Sequence, residues 1–151
     1  MATSLVKKVH HVAYRCRDAK QTVEWYRQHL GMDFVLAIAE NNVPSTGAPD
    51  PYMHVFMDAG QGNVLAFFEL PNSPPMGRDG ATPEWVQHIA FKVGSLDELM
   101  AAKARLEAAG IDVIGPTVHR ERGWLCGRQH LDRAVLELDL TGGQLVVGGS
   151  L

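Results

Sequence analysis

The chain has 151 residues, of which 46% are hydrophobic and 21% charged, and its formal net charge is -3. This is the length and composition of one soluble globular domain, and the slight acidity excludes a basic surface for nucleic acid or an anionic membrane. No apolar run predicts a membrane span, the N-terminus is not expected to act as a signal peptide, and two cysteines make no disulfide framework. A reduced, cytoplasmic protein is therefore expected.

The first 70 residues predict a strand, a helix and three further strands. Residues 9–15 alternate with period two, and a helix over 19–30 follows Asp18 as its N-cap and ends at Gly31. Strands are predicted at 34–39, 54–58 and 64–70. Residues 40–51 contain several Pro, Gly and Asn residues and predict a long irregular loop, and 71–85 predict a proline-rich linker.

Residues 86–140 predict the same order of elements. A strand over 86–93 leads to Ser95, which caps a helix to residue 109 with Leu99, Ala102 and Leu106 on its apolar face. Strands are predicted at 113–114, 123–126 and 134–140. The tail, 141–151, is glycine-rich and predicts either an edge strand or disorder.

The two halves form an internal repeat, because residues 87–93 match 10–16 position by position in residue character. A repeat of this length indicates two copies of one supersecondary unit that pack together. Each copy opens with a histidine, His11 or His88, and closes with a glutamate, Glu69 or Glu137. If the first and last strands of each copy are neighbours, one histidine and one glutamate converge from each half.

These four residues predict a metal site, because two imidazoles and two carboxylates suit Zn, Ni, Co, Mn or Fe(II). The competing interpretation is that each is an ordinary strand residue. The face of His11 also carries Arg15, which is either a solvated strand residue or a ligand for a substrate carboxylate or phosphate. Phe67, with Phe68 beside it, indicates an apolar wall of a substrate cavity. His10 is expected on the opposite strand face, and His54 has no counterpart in the repeat.

Residues 10–18, 25–32 and 86–91 resemble the vicinal oxygen chelate superfamily, which includes glyoxalase I, bleomycin-resistance proteins, methylmalonyl-CoA epimerase and type I extradiol dioxygenases. The resemblance implies an α+β fold in which two βαβββ modules form a cupped eight-stranded mixed sheet with its helices outside. It also implies a divalent metal and, usually, a homodimer. One departure is visible, since residues 125–133 lack the Asp-Pro-Asx-Gly turn common before the last glutamate.

The resemblance further implies that a metal chelates two adjacent substrate oxygens and that a carboxylate, Glu69 or Glu137, acts as the catalytic base. The predicted function is a glyoxalase-like lyase or isomerase acting on a small oxygen-chelating molecule. One alternative is an extradiol dioxygenase, against which the absence of tyrosine after residue 86 counts. The other is a metal-free, drug-binding protein.

Overall fold

The computed structural model describes residues 5–6, 8–76, 81, 89–118, 133–139 and 142–147, the last two segments as backbone. The chain divides into two compact units, 1–76 and 77–150, with the boundary inside the segment predicted as linker. Within the described residues each unit contains one helix and four strands, so the α+β prediction is confirmed. A single cupped sheet spanning both units stays a prediction.

The helix of the first unit follows its first strand almost at once. Strand β1 covers Val12–Cys16 and helix α1 covers Ala19–Leu30. The Asp18 side chain accepts a hydrogen bond from the backbone N–H of Gln21 at 2.7 Å, as an N-cap aspartate does. The helix ends at Gly31, whose φ of 67° is a left-handed conformation that glycine adopts without strain. Both ends of this helix are as predicted.

Three more strands complete the first sheet, namely β2 at Asp33–Asn42, β3 at Pro49–Asp58 and β4 at Val64–Glu69. The strand order is β1-β4-β3-β2, with β1 parallel to β4 and the other pairs antiparallel. The first and last strands of this unit are therefore neighbours, the arrangement on which the predicted convergence of histidine and glutamate depends. Helix α1 packs on one face, where Tyr26 lies 5.0 Å from Phe67 between ring centroids and both side chains are buried.

The predicted irregular loop over 40–51 is too long. Strands β2 and β3 continue into it, and only 43–48 lie between them. Pro51 falls where the register shifts between Glu40 opposite Tyr52 and Asn42 opposite Pro49. A proline can be accommodated at such an irregularity because no ladder hydrogen bond requires its missing N–H.

The second unit has strand β5 at Ile89–Lys92, helix α2 at Leu96–Ala108 and strands β6, β7 and β8 at Asp112–Val118, Arg133–Asp139 and Gly142–Val147. Ser95 caps α2, and the helix buries the predicted stripe. The predicted strand at 123–126 lies outside the described residues.

The tail corrects the prediction for the second sheet. Its strand, β8, is central, because the order is β5-β8-β7-β6. Strand β7, which carries Glu137, pairs with β6 and β8 and is not a neighbour of β5. Residues 145–147 are apolar and lie in a strand that pairs with a neighbour on each side. The glycine content of the tail did not indicate a central strand. Neither described helix has the length and hydropathy to cross a membrane.

Candidate functional site

The candidate site lies on the face of the first sheet that is opposite to α1. Side chains alternate between the faces of a strand, so Ala13 and Arg15 share a face with their β4 register partners, Ala66 and Phe68. His11 directly precedes β1 and extends over the same face, where its ring contacts Phe56 at 5.6 Å between centroids. The small side chains of Ala13 and Ala66 separate His11 from Arg15, as the period-two alternation predicts.

A cluster of stacked rings runs along this face. His54 stacks on Phe68, with centroids 3.6 Å apart and planes inclined by 16°. On its other side His54 lies 4.1 Å from Phe56, and its centroid is 6.2 Å from that of His11. We call His11, His54, Phe56 and Phe68 the ring cluster. It brings two imidazoles from β3 and the start of β1 into one apolar setting.

His54 is the more buried of the two histidines in the cluster, and one of its ring nitrogens has no hydrogen-bond partner. The residue is 9% exposed, and its Nε2 is shielded from solvent without any hydrogen-bond partner. Burial lowers the pKa of the His54 imidazole, and the neighbouring His11 lowers that pKa further. An unsatisfied buried nitrogen is unfavourable for folding, so its presence on this face points to a role other than stability.

Arg15 borders the ring cluster on β1, directly beside Phe68. Its Nη2 donates a hydrogen bond to the backbone carbonyl of Pro74 at 2.6 Å, which ties the start of the predicted linker to the sheet. Its Nε is buried and has no partner. Within the described part of the chain, no carboxylate forms an ion pair with this guanidinium. Among the residues that the structure describes, Arg15 therefore offers a positive charge without a counter-ion.

The structure does not bring Glu69 to His11. Glu69 follows Phe67 by two residues and shares its face, the one that α1 covers. Its Oε2 accepts a hydrogen bond from the backbone N–H of Ala19 at 2.7 Å, so the carboxylate stabilises the first turn of α1. Phe67 is completely buried against Tyr26 and lines no cavity on the ring-cluster face. The residue adjacent in sequence, Phe68, occupies that position instead.

His10 is closer to His11 than expected. Their Nδ1 atoms are 2.8 Å apart and their rings are in edge contact. Both residues precede the first residue of β1, so strict strand alternation does not apply to them. The predicted separation of the two imidazoles onto opposite faces is therefore wrong.

The second half of the predicted metal site is less fully described. His88 lies outside the described residues, and Glu137 is placed only by its backbone, opposite Thr117 on β6 and Gln144 on β8. Within the described ranges, no group of three His, Cys, Asp or Glu side chains is arranged to hold a metal ion. Among these residues His11 offers an exposed imidazole on the ring-cluster face, which fits the nitrogen donor that a divalent ion requires.

Sequence reasoning missed His54. The repeat has no second copy of this histidine, so a search for repeated residues passes over it. A signal was nevertheless present, because Tyr52, His54 and Phe56 alternate along one strand and place an imidazole between two aromatic rings. A histidine at the centre of an aromatic face is a separate reason to expect a binding site.

Comparison with protein families identifies the superfamily of this chain. The family model described as Glyoxalase/Bleomycin resistance protein/Dioxygenase superfamily matches residues 8–125, more than half of the chain. The chain belongs to this superfamily. The match covers the first unit from before β1 to the end of β4 and reaches beyond β6 of the second. The resemblance to the vicinal oxygen chelate superfamily is thus confirmed.

Solved structures share the fold of this chain. Trypanothione-dependent glyoxalase I of Leishmania major is 18% identical, with a TM-score of 0.55 over 96% of this chain and 88% of that one. A glyoxalase/bleomycin resistance protein/dioxygenase domain from Frankia is 18% identical, with a TM-score of 0.57 over 89% and 94%. The fosfomycin resistance protein FosX of Listeria monocytogenes is 13% identical, with a TM-score of 0.52 over 97% and 95%. Comparison with curated proteins gives no match.

Proposed function

We propose that this superfamily member is a divalent-metal-dependent, glyoxalase-like lyase or isomerase acting on a small molecule with two adjacent oxygens. One observation carries the proposal. His11, the histidine that opens the sequence repeat, lies on the same sheet face as an imidazole with an unpartnered nitrogen and an arginine without a counter-ion. A face with these three groups can bind a polar, oxygen-rich ligand.

The proposed metal ligands are His11, His88 and Glu137. Glu69 is left out, because its carboxylate lies on the other face and is used by α1. A bound divalent ion would supply Lewis-acid stabilisation of an enolate-type anion. Glu137 is the proposed general base, and Arg15 is proposed to orient the substrate from the edge of the ring cluster.

Two of the structural relatives are consistent with this chemistry. The FosX variant from Listeria was solved with Mn(II) and a dihydroxypropylphosphonic acid, and the Leishmania enzyme is a glyoxalase I. Both have the same fold at low sequence identity. They support the proposal that this chain binds a divalent metal and a small-molecule substrate. Experiment has to determine which of Zn, Ni, Co, Mn and Fe(II) is bound.

One observation favours a second function, an extradiol ring-cleaving dioxygenase. Without Glu69 the proposed ligand set is two histidines and one carboxylate, the set that leaves open positions on a non-haem Fe(II) centre. The aromatic ring cluster would also suit a planar catechol. The absence of a tyrosine after residue 86 removes one acid/base group and keeps this function second.

The test is metal analysis of the purified protein followed by activity assays. Protein reconstituted separately with Zn, Ni, Co, Mn or Fe(II) would be assayed on hemithioacetals, acyl-CoA epimers and catechols, with an oxygen electrode in the last case. Turnover without oxygen uptake supports the lyase or isomerase. Stoichiometric oxygen uptake with Fe(II) and a catechol identifies the dioxygenase. Full activity after complete metal removal would refute both.

A further inference from the structure

Arg15 and His54, the two residues with an unpartnered nitrogen, flank Phe68 in the sheet. Arg15 on β1, Phe68 on β4 and His54 on β3 are register neighbours across three adjacent strands. Neighbouring strands are about 4.8 Å apart, so the Cα atoms of Arg15 and His54 are separated by roughly 10 Å. Both side chains extend over the same face, and an arginine side chain is long enough to reach a group above the intervening ring.

Arg15 and His54 lack hydrogen bonds that residues with a purely structural role usually make. Each has a nitrogen removed from solvent with no hydrogen-bond partner, and among the described residues the acceptor that Arg15 contacts is the neutral carbonyl of Pro74. A guanidinium whose Nε is shielded from solvent without an acceptor is unfavourable unless another group completes its hydrogen bonds. A carboxylate would do so, since it accepts from both an arginine and an imidazole N–H.

We propose that Arg15 and His54 form a carboxylate-binding subsite over Phe68, and that the substrate is a small carboxylic acid with a flat or apolar body. The carboxylate neutralises Arg15 and accepts from His54, while the body contacts Phe68 and Phe56. The subsite rests on the proposed function for the statement that its ligand is the substrate, whereas carboxylate binding itself requires no metal.

The test uses benzoate as the probe and benzamide as its neutral match. Both are titrated into chelator-treated, full-length protein at constant ionic strength, with binding followed by NMR. We expect benzoate to bind at least about 10-fold more tightly than benzamide, because the amide cannot neutralise Arg15. Arg15→Met and His54→Phe should each weaken benzoate binding by about 10-fold, with little effect on benzamide.

Two further measurements separate this role from a structural one. His54→Phe retains a ring that stacks on Phe68 and removes the unpartnered nitrogen, so its melting temperature should be equal to or above that of the wild type while benzoate binding is about 10-fold weaker. Arg15→Lys keeps the charge and His54→Gln keeps a donor, and both should restore part of the affinity.

The proposal is overturned if benzoate and benzamide bind alike, if benzoate binds the His54→Phe and Arg15→Met double variant as well as the wild type, or if no benzoate binding is seen at about 10 mM. These outcomes are distinct from failure of the proposed function. A protein without metal-dependent turnover can still bind benzoate through this subsite, and an active metal enzyme can fail to bind it.

Discussion

Substitution of Glu69 distinguishes the role that the sequence repeat predicts from the role that the structure shows. The repeat predicts a metal ligand, whereas the structure shows a carboxylate that accepts from the backbone N–H of Ala19 at 2.7 Å. In the first case, removing the carboxylate lowers metal affinity. In the second, it destabilises the first turn of α1 and leaves the metal content unchanged.

The expected magnitude follows from the contact. A charged, partly buried hydrogen bond at a helix N-terminus is worth about 1–2 kcal/mol. For a chain of this size, Glu69→Ala should therefore lower the melting temperature by about 3–6 °C. Glu69→Gln retains an acceptor oxygen without the charge, so its effect should be smaller. Thermal unfolding followed by circular dichroism measures the loss, and elemental analysis of the same samples measures bound metal.

Asp18→Ala is the matched control, because the Asp18 side chain accepts from Gln21 N–H at the same end of the same helix. It should cost about 1 kcal/mol and leave metal content unchanged. The reasoning is refuted if Glu69→Ala melts with the wild type but loses its metal while Asp18→Ala retains it.

Three other predictions follow from the structure and the proposed function. His11→Ala and His88→Ala should each lose most of the bound metal in elemental analysis while the protein remains folded, and a double variant that retains stoichiometric metal would exclude both ligands. Burial raises the pKa of the Cys16 thiol and of the Tyr26 hydroxyl, so their stabilising contribution is complete below their unfolded pKa values and is lost as the pH rises through the native ones. The urea midpoint should thus fall as the pH rises above about 9, and above about pH 10 it should fall less steeply in Tyr26→Phe than in the wild type; an identical fall in that variant would contradict this explanation. Light scattering at tens of micromolar is expected to show a homodimer, and a monodisperse monomer would refute this.

Local patterns predicted much of the first unit. Asp18 before an apolar periodicity and Gly31 after it specify a helix by capping chemistry within a few residues, and both ends agree with the structure. The period-two alternation of β1 likewise predicted that Ala13 and Arg15 share a face. These features depend on short-range backbone geometry, which the sequence carries directly.

The second sheet shows where local patterns are insufficient. Glycine-rich residues 141–151 gave no sign that β8 would occupy the centre of the sheet, and Glu137 consequently lies on a strand that does not neighbour β5. Strand order depends on pairings between distant segments, and the hydrophobic pattern of one strand does not specify which other strand it pairs with.

The sequence by itself determined the superfamily, the α+β class and the order of elements in the first unit, because these follow from local periodicity, capping and the repeat. Only the tertiary structure decided which face each chemical group occupies. His11 opens and Glu69 closes the same copy of the repeat, yet strand register puts Glu69 under α1 and His11 beside His54. A single-residue difference in register reverses the face of a side chain, so the composition of the site depended on how β1, β3 and β4 pair.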